Sequence, residues 1–295
     1  MTTTLNSDDA NAVSGKGNVV EVLALKFDAG TAQQSRDAIA VEEPLEIFVA
    51  GHFEGKDFNQ TIAVTMRTPG NDEELALGFL FGEGVIGGIA DVDNVWVKDC
   101  NFVGVSLRSG LPIEKELLER HSFVNSSCGV CGKKSIESVL SRLSSLAQTR
   151  TNADDITMGG ALMCKLPDKL RNRQDAFDST GGSHAAALFD YDGQLIAVQE
   201  DVGRHNALDK LIGSRLKLSK LPLSNCILML SGRASFELIQ KAACAGIPIV
   251  ASVGAPSSLA VELANDCGIT LMGFVRDKHF NIYSAAHRIR LGENQ

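Results

Sequence analysis

Between residues 226 and 274 the chain alternates short apolar runs with helix-length stretches, and this alternation constrains the fold more than any other feature. The runs are Cys226-Ile-Leu-Met-Leu230, Ile247-Pro-Ile-Val-Ala251 and 269–274. Each is too short for a helix and too apolar for a strand with one wet face, so each reads as a strand buried on both sides. The stretches between them, 234–245 and 257–267, are long enough for helices. Strand, helix, strand, helix and strand in succession predict parallel neighbours joined by right-handed crossovers. Upstream, Ala185–Phe189, the turn Asp190-Tyr191-Asp192-Gly193 and Leu195–Val198 predict a hairpin, with a helix over 204–213. Together these predict a three-layer α/β domain over about 135–288.

The first half has a different period. Residues 19–65 alternate apolar and polar side chains, as in Glu46-Ile-Phe-Val49 and Thr61-Ile-Ala-Val64, with glycines at 51 and 55. That pattern predicts strands and hairpins. Arg67-Thr-Pro-Gly-Asn-Asp72 is a turn leading into a helix over 72–82, whose first-turn acids Asp72, Glu73 and Glu74 suit the helix dipole. Two more strands follow over 92–107. A small α+β domain over 19–122 accounts for these elements, and 295 residues are enough for two domains. The polar Met1–Asn18 reads as a leader without the apolar core of a signal peptide, and 289–295 as a tail. Residues 123–134 read as a mobile loop. Ile136, Val139, Leu140 and Leu143 predict a helix after it, and 150–175 carry no clear pattern.

Composition narrows the function classes. With 28 Lys and Arg against 36 Asp and Glu, the net charge is −8, the wrong sign for a general nucleic-acid binder. One Trp and two Tyr leave little for base-stacking platforms. No run approaches the ~20 apolar residues that cross a bilayer, so the expectation is a cytoplasmic protein with neither nucleic-acid nor membrane partners. Seven scattered cysteines in a reducing compartment argue against a disulfide framework.

Only one cysteine pair is close, in Cys128-Gly-Val-Cys131-Gly132. A structural zinc site needs about four ligands, and neither a second CxxC nor an HxxxH is present, so no metal is expected. A redox pair, two inert core thiols and a sulfur-carrying nucleophile remain. Ser126, Ser127, Gly132, Lys133 and Lys134 are loop and surface types, whereas inert cysteines are mostly buried. A helix N-terminus near Cys131 and the two lysines would lower a thiol pKa. A lone CxxC does not separate redox from carrier chemistry.

The α/β unit suggests a ligand site, because such sheets bind ligands beyond the carboxyl ends of their strands. Three loops are expected there. They are Ser231-Gly232-Arg233, the segment 252–258 ending in Ser257 and Ser258 at a helix start, and Phe274-Val275-Arg276-Asp277-Lys278-His279. Hydroxyls, cations and a helix end suit an anionic, phosphate-bearing ligand. There is no GxGxxG and no GxxxxGK[ST]. The bland alternative, serines that only cap a helix and an Arg276 in solvent, is about equally good. A polar constellation, Thr180-Gly-Gly-Ser-His184 and Glu200-Asp-Val-Gly-Arg-His205-Asn206 with Asp209 and Lys210, reads as a pocket wall, although each histidine alone fits a core or helix-end role.

At this point whole segments are recognisable. They are 67–80 (RTPGNDEELALGFL), 127–132 (SCGVCG), 180–189 (TGGSHAAALF), 200–210 (EDVGRHNALDK), 231–238 (SGRASFEL), 255–260 (APSSLA) and 270–276 (TLMGFVR). Through them the chain resembles the formate dehydrogenase accessory sulfurtransferase (FdhD-type) family over nearly everything after the leader.

The resemblance implies a sulfur carrier. Such proteins accept persulfide sulfur from a cysteine desulfurase on the CxxC loop. They pass it to the molybdenum (or tungsten) bis-guanine-dinucleotide cofactor, the guanine-nucleotide-containing cargo that formate dehydrogenase then takes up. By this similarity Cys128 is the carrier and Cys131 its assistant. Phe274 to His279 form the cofactor-contacting stretch, with Ser231, Gly232, Arg233 and Ser257 as further contacts. The second domain resembles the cytidine-deaminase fold, but deaminase activity does not carry over. His184 is followed by Ala185-Ala186 and Cys128 is preceded by Ser127, so the zinc-deaminase elements are missing. Asp277 departs from what an anion site wants. A rival from another class is an escort that binds the cofactor without moving sulfur, and a third is a dithiol oxidoreductase. A homodimer is compatible with the sequence and not implied by it.

Overall fold

The computed structural model describes residues 17–53, 56–111 and 157–292. Cys128, Cys131, the 123–134 loop and the helix expected from Ile136 lie outside these residues. The chain opens with an antiparallel hairpin, β1 (Val19–Asp28) and β2 (Thr31–Ala40). A second hairpin, β3 (Glu43–Phe53) and β4 (Lys56–Arg67), precedes α1 (Asp72–Glu83), β5 (Val92–Asp99) and β6 (Phe102–Leu107). The last four strands form one sheet in the order β4-β3-β6-β5, with β6 parallel to β3. Leu75, Leu77 and Leu80 of α1 pack with Leu45, Ile47 and Val103 of the sheet. This is the α and β mixture that the alternating first half predicts.

The pattern-poor 150–175 segment holds β7 (Met158–Gly159), α2 (Gly160–Met163) and α3 (Leu166–Arg171), and α4 (Asp175–Thr180) follows. Helices of four to six residues complete too few turns to leave a hydrophobic period. Then come β8 (His184–Phe189), β9 (Leu195–Asp201), α5 (Arg204–Lys217), β10 (Ile227–Leu230), α6 (Phe236–Cys244), β11 (Ile249–Ser252), α7 (Ser258–Asp266), β12 (Thr270–Arg276), β13 (His279–Ser284) and β14 (Ile289–Arg290). The main sheet runs β13-β12-β11-β10-β8-β9. Its β10, β11 and β12 are parallel, as the apolar runs predict, while β8 and β13 join antiparallel. One face carries Leu188, Leu228, Val250 and Leu271 into a core with α5, α6 and α7. The other carries Phe189, Met229, Ile249 and Met272 against Met163, Leu166 and Leu170. Ile289, expected in the tail, is buried in that second core, where β14 pairs with β7.

One helix boundary differs from expectation for a physical reason. The sequence predicts this helix over 204–213, yet α5 runs through Gly213 to Lys217. The glycine serves a close crossing with α1: a Cβ on Gly213 would lie 1.8 Å from the Glu74 carbonyl oxygen. Gly78 of α1 makes the reciprocal approach, its added Cβ falling 1.9 Å from the Asp209 carbonyl oxygen. Backbones this close let α1 sit between the small sheet and α5, and Leu216 of α5 enters the core of the small sheet.

Candidate functional site

Parallel β10, β11 and β12 end at one edge of the main sheet. Because β8 runs antiparallel to β10, its first residue, His184, reaches the same edge, where it pairs with Asp201, the last residue of β9. Backbone hydrogen bonds tie the loops there together. Gly254 N–H donates to the Gly232 carbonyl at 3.0 Å, and Phe274 N–H donates to Gly254 at 3.2 Å. Ser257 N–H donates to Ala234 at 3.0 Å. The expected loops are thus contiguous.

The side chains within those loops differ in what they can do. Ser231 Oγ accepts from Ala185 N–H at 2.8 Å, so this hydroxyl fastens the loop to β8. Gly232 lies against His184, where an added Cβ would meet Nδ1 at 3.2 Å. Arg233 is exposed. Ser257 caps α7 by accepting from Ala260 N–H at 3.3 Å. Phe274 is half-buried with φ of 55°, beside a break in the β12–β13 register. Val275 points into the core and is fully buried, so its side chain offers no ligand contact. Arg276, Asp277, Lys278 and His279 are exposed in the β12–β13 turn, which Asp277 enters at φ 47°. Asp and Asn tolerate that left-handed conformation better than most residues, a backbone reason for an acid at this position.

The polar constellation on α5 divides in three. Asp201 and Lys210, both buried, form an ion pair at 2.7 Å. They close on the turn before α1: Lys210 donates to the Thr68 carbonyl at 2.7 Å, and Thr68 N–H donates to Asp201 at 3.1 Å. Val202 N–H returns a bond to Thr68 Oγ1 at 3.1 Å. Asn206 donates to the Met66 carbonyl at 2.8 Å and accepts from Thr65 Oγ1 at 3.2 Å. The segments 65–72 and 200–210 therefore form a polar bolt between the two sheets. Asp201 and Lys210 also line a cavity of about 420 Å³ with Thr68, Asn71, Ser183 and Glu200, so part of the pocket wall the sequence suggests lines a cavity, while His184, His205, Asn206 and Asp209 lie outside its lining. In sequence, nothing but the charged residues among the apolar positions of α5 hints at a partner 130 residues away.

The second group is Asp209, buried against Lys241 of α6 at 2.7 Å. Burial raises the Asp209 carboxyl to about 6, against the opposing pull of Lys241. The third is His205, whose Nε2 lies 3.0 Å from Glu237 and 3.1 Å from Ser235 Oγ, both missed by sequence reasoning. Both neighbours meet the same nitrogen, so no serine–histidine–carboxylate relay exists here. Burial, aided by Arg204, lowers the His205 pKa to about 4 against the pull of Glu237. Burial and Arg204 also lower His184.

A stability profile follows from His205. Its folded pKa lies below the unfolded value of about 6.5, so the unfolded chain binds the extra proton. The contribution is complete above pH ~6.5 and is lost as pH falls through about 4, amounting to about 3 kcal/mol at most. Asp209 acts oppositely, its raised pKa favouring the fold as pH falls from about 6. Denaturation midpoints of His205→Gln should therefore decline less below pH 6.5 than those of the parent chain. Parallel declines would remove His205 as the cause.

The FdhD/NarQ family model matches residues 40–290. The chain belongs to the FdhD/NarQ family. Among similar FdhD proteins, "Sulfur carrier protein FdhD" of Mycolicibacterium paratuberculosis is 47% identical over 270 residues, spanning 88% of this chain and 95% of that one. The protein of the same name from Sulfolobus acidocaldarius is 43% identical, spanning 90% and 96%. A crystal structure from Desulfotalea psychrophila, described as a formate dehydrogenase accessory protein, is 25% identical with a TM-score of 0.69 and spans 92% of this chain and 99% of that one. The bolt, the α1–α5 crossing and the edge loops all fall within the FdhD/NarQ match. No described helix is long and apolar enough to cross a membrane.

Proposed function

We propose that this chain is a cytoplasmic sulfur carrier serving formate dehydrogenase, with Cys128 as the carrying thiol. The observation that carries this reading is family membership over residues 40–290 together with the single close cysteine pair inside that span. The donor is a cysteine desulfurase persulfide. The Cys128 thiolate attacks its terminal sulfur, the donor S–S bond breaks, and the donor thiolate leaves, giving Cys128–S–SH. Cys131 then attacks the inner sulfur, releasing hydrosulfide and leaving a Cys128–Cys131 disulfide that an external thiol reduces. The acceptor is the molybdenum bis-guanine-dinucleotide cofactor, bound as substrate. The contiguous loops at the sheet edge, with Arg233 and the cationic 276–279 turn exposed beside the capped start of α7, suit its phosphates. Three parallel strands with α5, α6 and α7 over one face and α2 and α3 against the other also suit the deaminase-like reading of the α/β domain.

The test is maturation of formate dehydrogenase in cells lacking the endogenous carrier. Cys128→Ala should give no active dehydrogenase while the protein folds normally. Cys131→Ala should lose activity that added hydrosulfide restores. Full maturation by Cys128→Ala would favour an escort that binds cofactor without carrying sulfur.

A further inference from the structure

Arg204 is the first residue of α5 and is largely enclosed. Its Nε is buried and has no hydrogen-bond partner, and the described residues provide its guanidinium with no carboxylate. An enclosed cation without a counter-charge is costly, and native structures rarely leave such donors unmet. Its field reaches both His184 and His205. Gly232, packed on the His184 ring, keeps a side chain out of this corner, and Ser235 adds a hydroxyl beside His205. Two imidazoles, a hydroxyl and a guanidinium whose buried Nε is unmet thus meet where β8, β10 and α5 converge.

We propose that Arg204, His184 and His205 form a seat for a singly charged sulfur anion, a hydrosulfide or the terminal sulfur of a persulfide. This deepens the sulfur-carrier reading and rests on it. Two acids near the corner argue for a single charge. Asp201 already holds the positive end of α5, accepting from Gly203 N–H at 2.8 Å, and Glu237 stands 3.0 Å from His205. A phosphate dianion would meet both carboxylates and would favour a two-pronged guanidinium contact over one buried N–H. Both imidazoles are held neutral below their usual pKa, so neither hands the anion a proton and releases it as hydrogen sulfide. Arg204 supplies the charge and the histidines a polar wall that does not neutralise it.

The experiment is histidine side-chain ¹⁵N NMR on the full chain under anaerobic, reducing conditions. Sodium hydrosulfide and inorganic phosphate are titrated separately at constant ionic strength. Hydrosulfide should shift the His184 and His205 resonances saturably, and Arg204→Gln should weaken that binding about tenfold. Phosphate should leave both resonances in place. Arg204→Gln should melt no lower than the parent chain, because it removes an unpaired enclosed charge. Absence of a saturable hydrosulfide shift, an equal shift in Arg204→Gln, or tighter phosphate binding would each overturn the seat. Desulfurase-dependent sulfur loading of Cys128, measured on the same samples, reports on the carrier function separately. Loading without hydrosulfide binding rejects the seat alone. A saturable, Arg204-dependent hydrosulfide shift without loading rejects the carrier and leaves the anion site standing.

Discussion

Gly213→Ala should fail to fold or should unfold at a much lower denaturant concentration than the parent chain. Helix propensity predicts the opposite sign, since alanine in a helix interior is worth about 1 kcal/mol over glycine. Close approach decides the outcome. The new Cβ would sit 1.8 Å from the Glu74 carbonyl oxygen and 2.7 Å from its carbon, both in the backbone of α1 and unable to rotate away. Relief requires α1 and α5 to separate, opening both the small-sheet core and the bolt beside it. Overpacked cores commonly lose about 1–3 kcal/mol, and a backbone-to-backbone clash belongs at or beyond the upper end. Gly78→Ala should behave alike through its 1.9 Å approach to the Asp209 carbonyl. A stabilised Gly213→Ala would show that the two helices do not cross as described.

Asp201→Ala should cost about 3–5 kcal/mol, the usual penalty for leaving a buried charge unpaired. Asp201 accepts from Thr68 N–H, Gly203 N–H, Asn206 and Lys210, and is wholly enclosed. Its loss strands the Lys210 ammonium. The double variant Asp201→Ala, Lys210→Met should recover part of the loss, because no unpaired charge then remains. A double variant no more stable than the single one would mean that the backbone bonds to Thr68 and Gly203, and not the ion pair, hold the bolt.

The two sheets were legible in the sequence where burial imposes a period. The parallel unit shows in its apolar runs because both faces of β10, β11 and β12 are covered. The first-half hairpins show because their strands alternate. What the sequence hid were contacts set by distant partners. The helix expected to end at 213 continues to Lys217, and the reason for a glycine inside it, the close approach to Glu74, lies on another helix. Asp201, Asn206 and Lys210 look like a pocket wall, and Asp201 and Lys210 do line one, yet most of the three residues' polar groups are committed to the turn at 65–72. Val275 stands in a stretch read as ligand-contacting, but strand alternation turns it into the core while Arg276 faces out. Arg204 stands inside the polar constellation, but its unmet Nε could not be read there, since the absence of a partner has no pattern in a sequence.

The most direct test of the carrier function is intact-protein mass spectrometry after incubation with an active cysteine desulfurase and cysteine, followed by peptide mapping. A reducible gain of one sulfur on Cys128 is the expected result. No gain on Cys128 or Cys131, from a desulfurase shown to bind the protein, would contradict it.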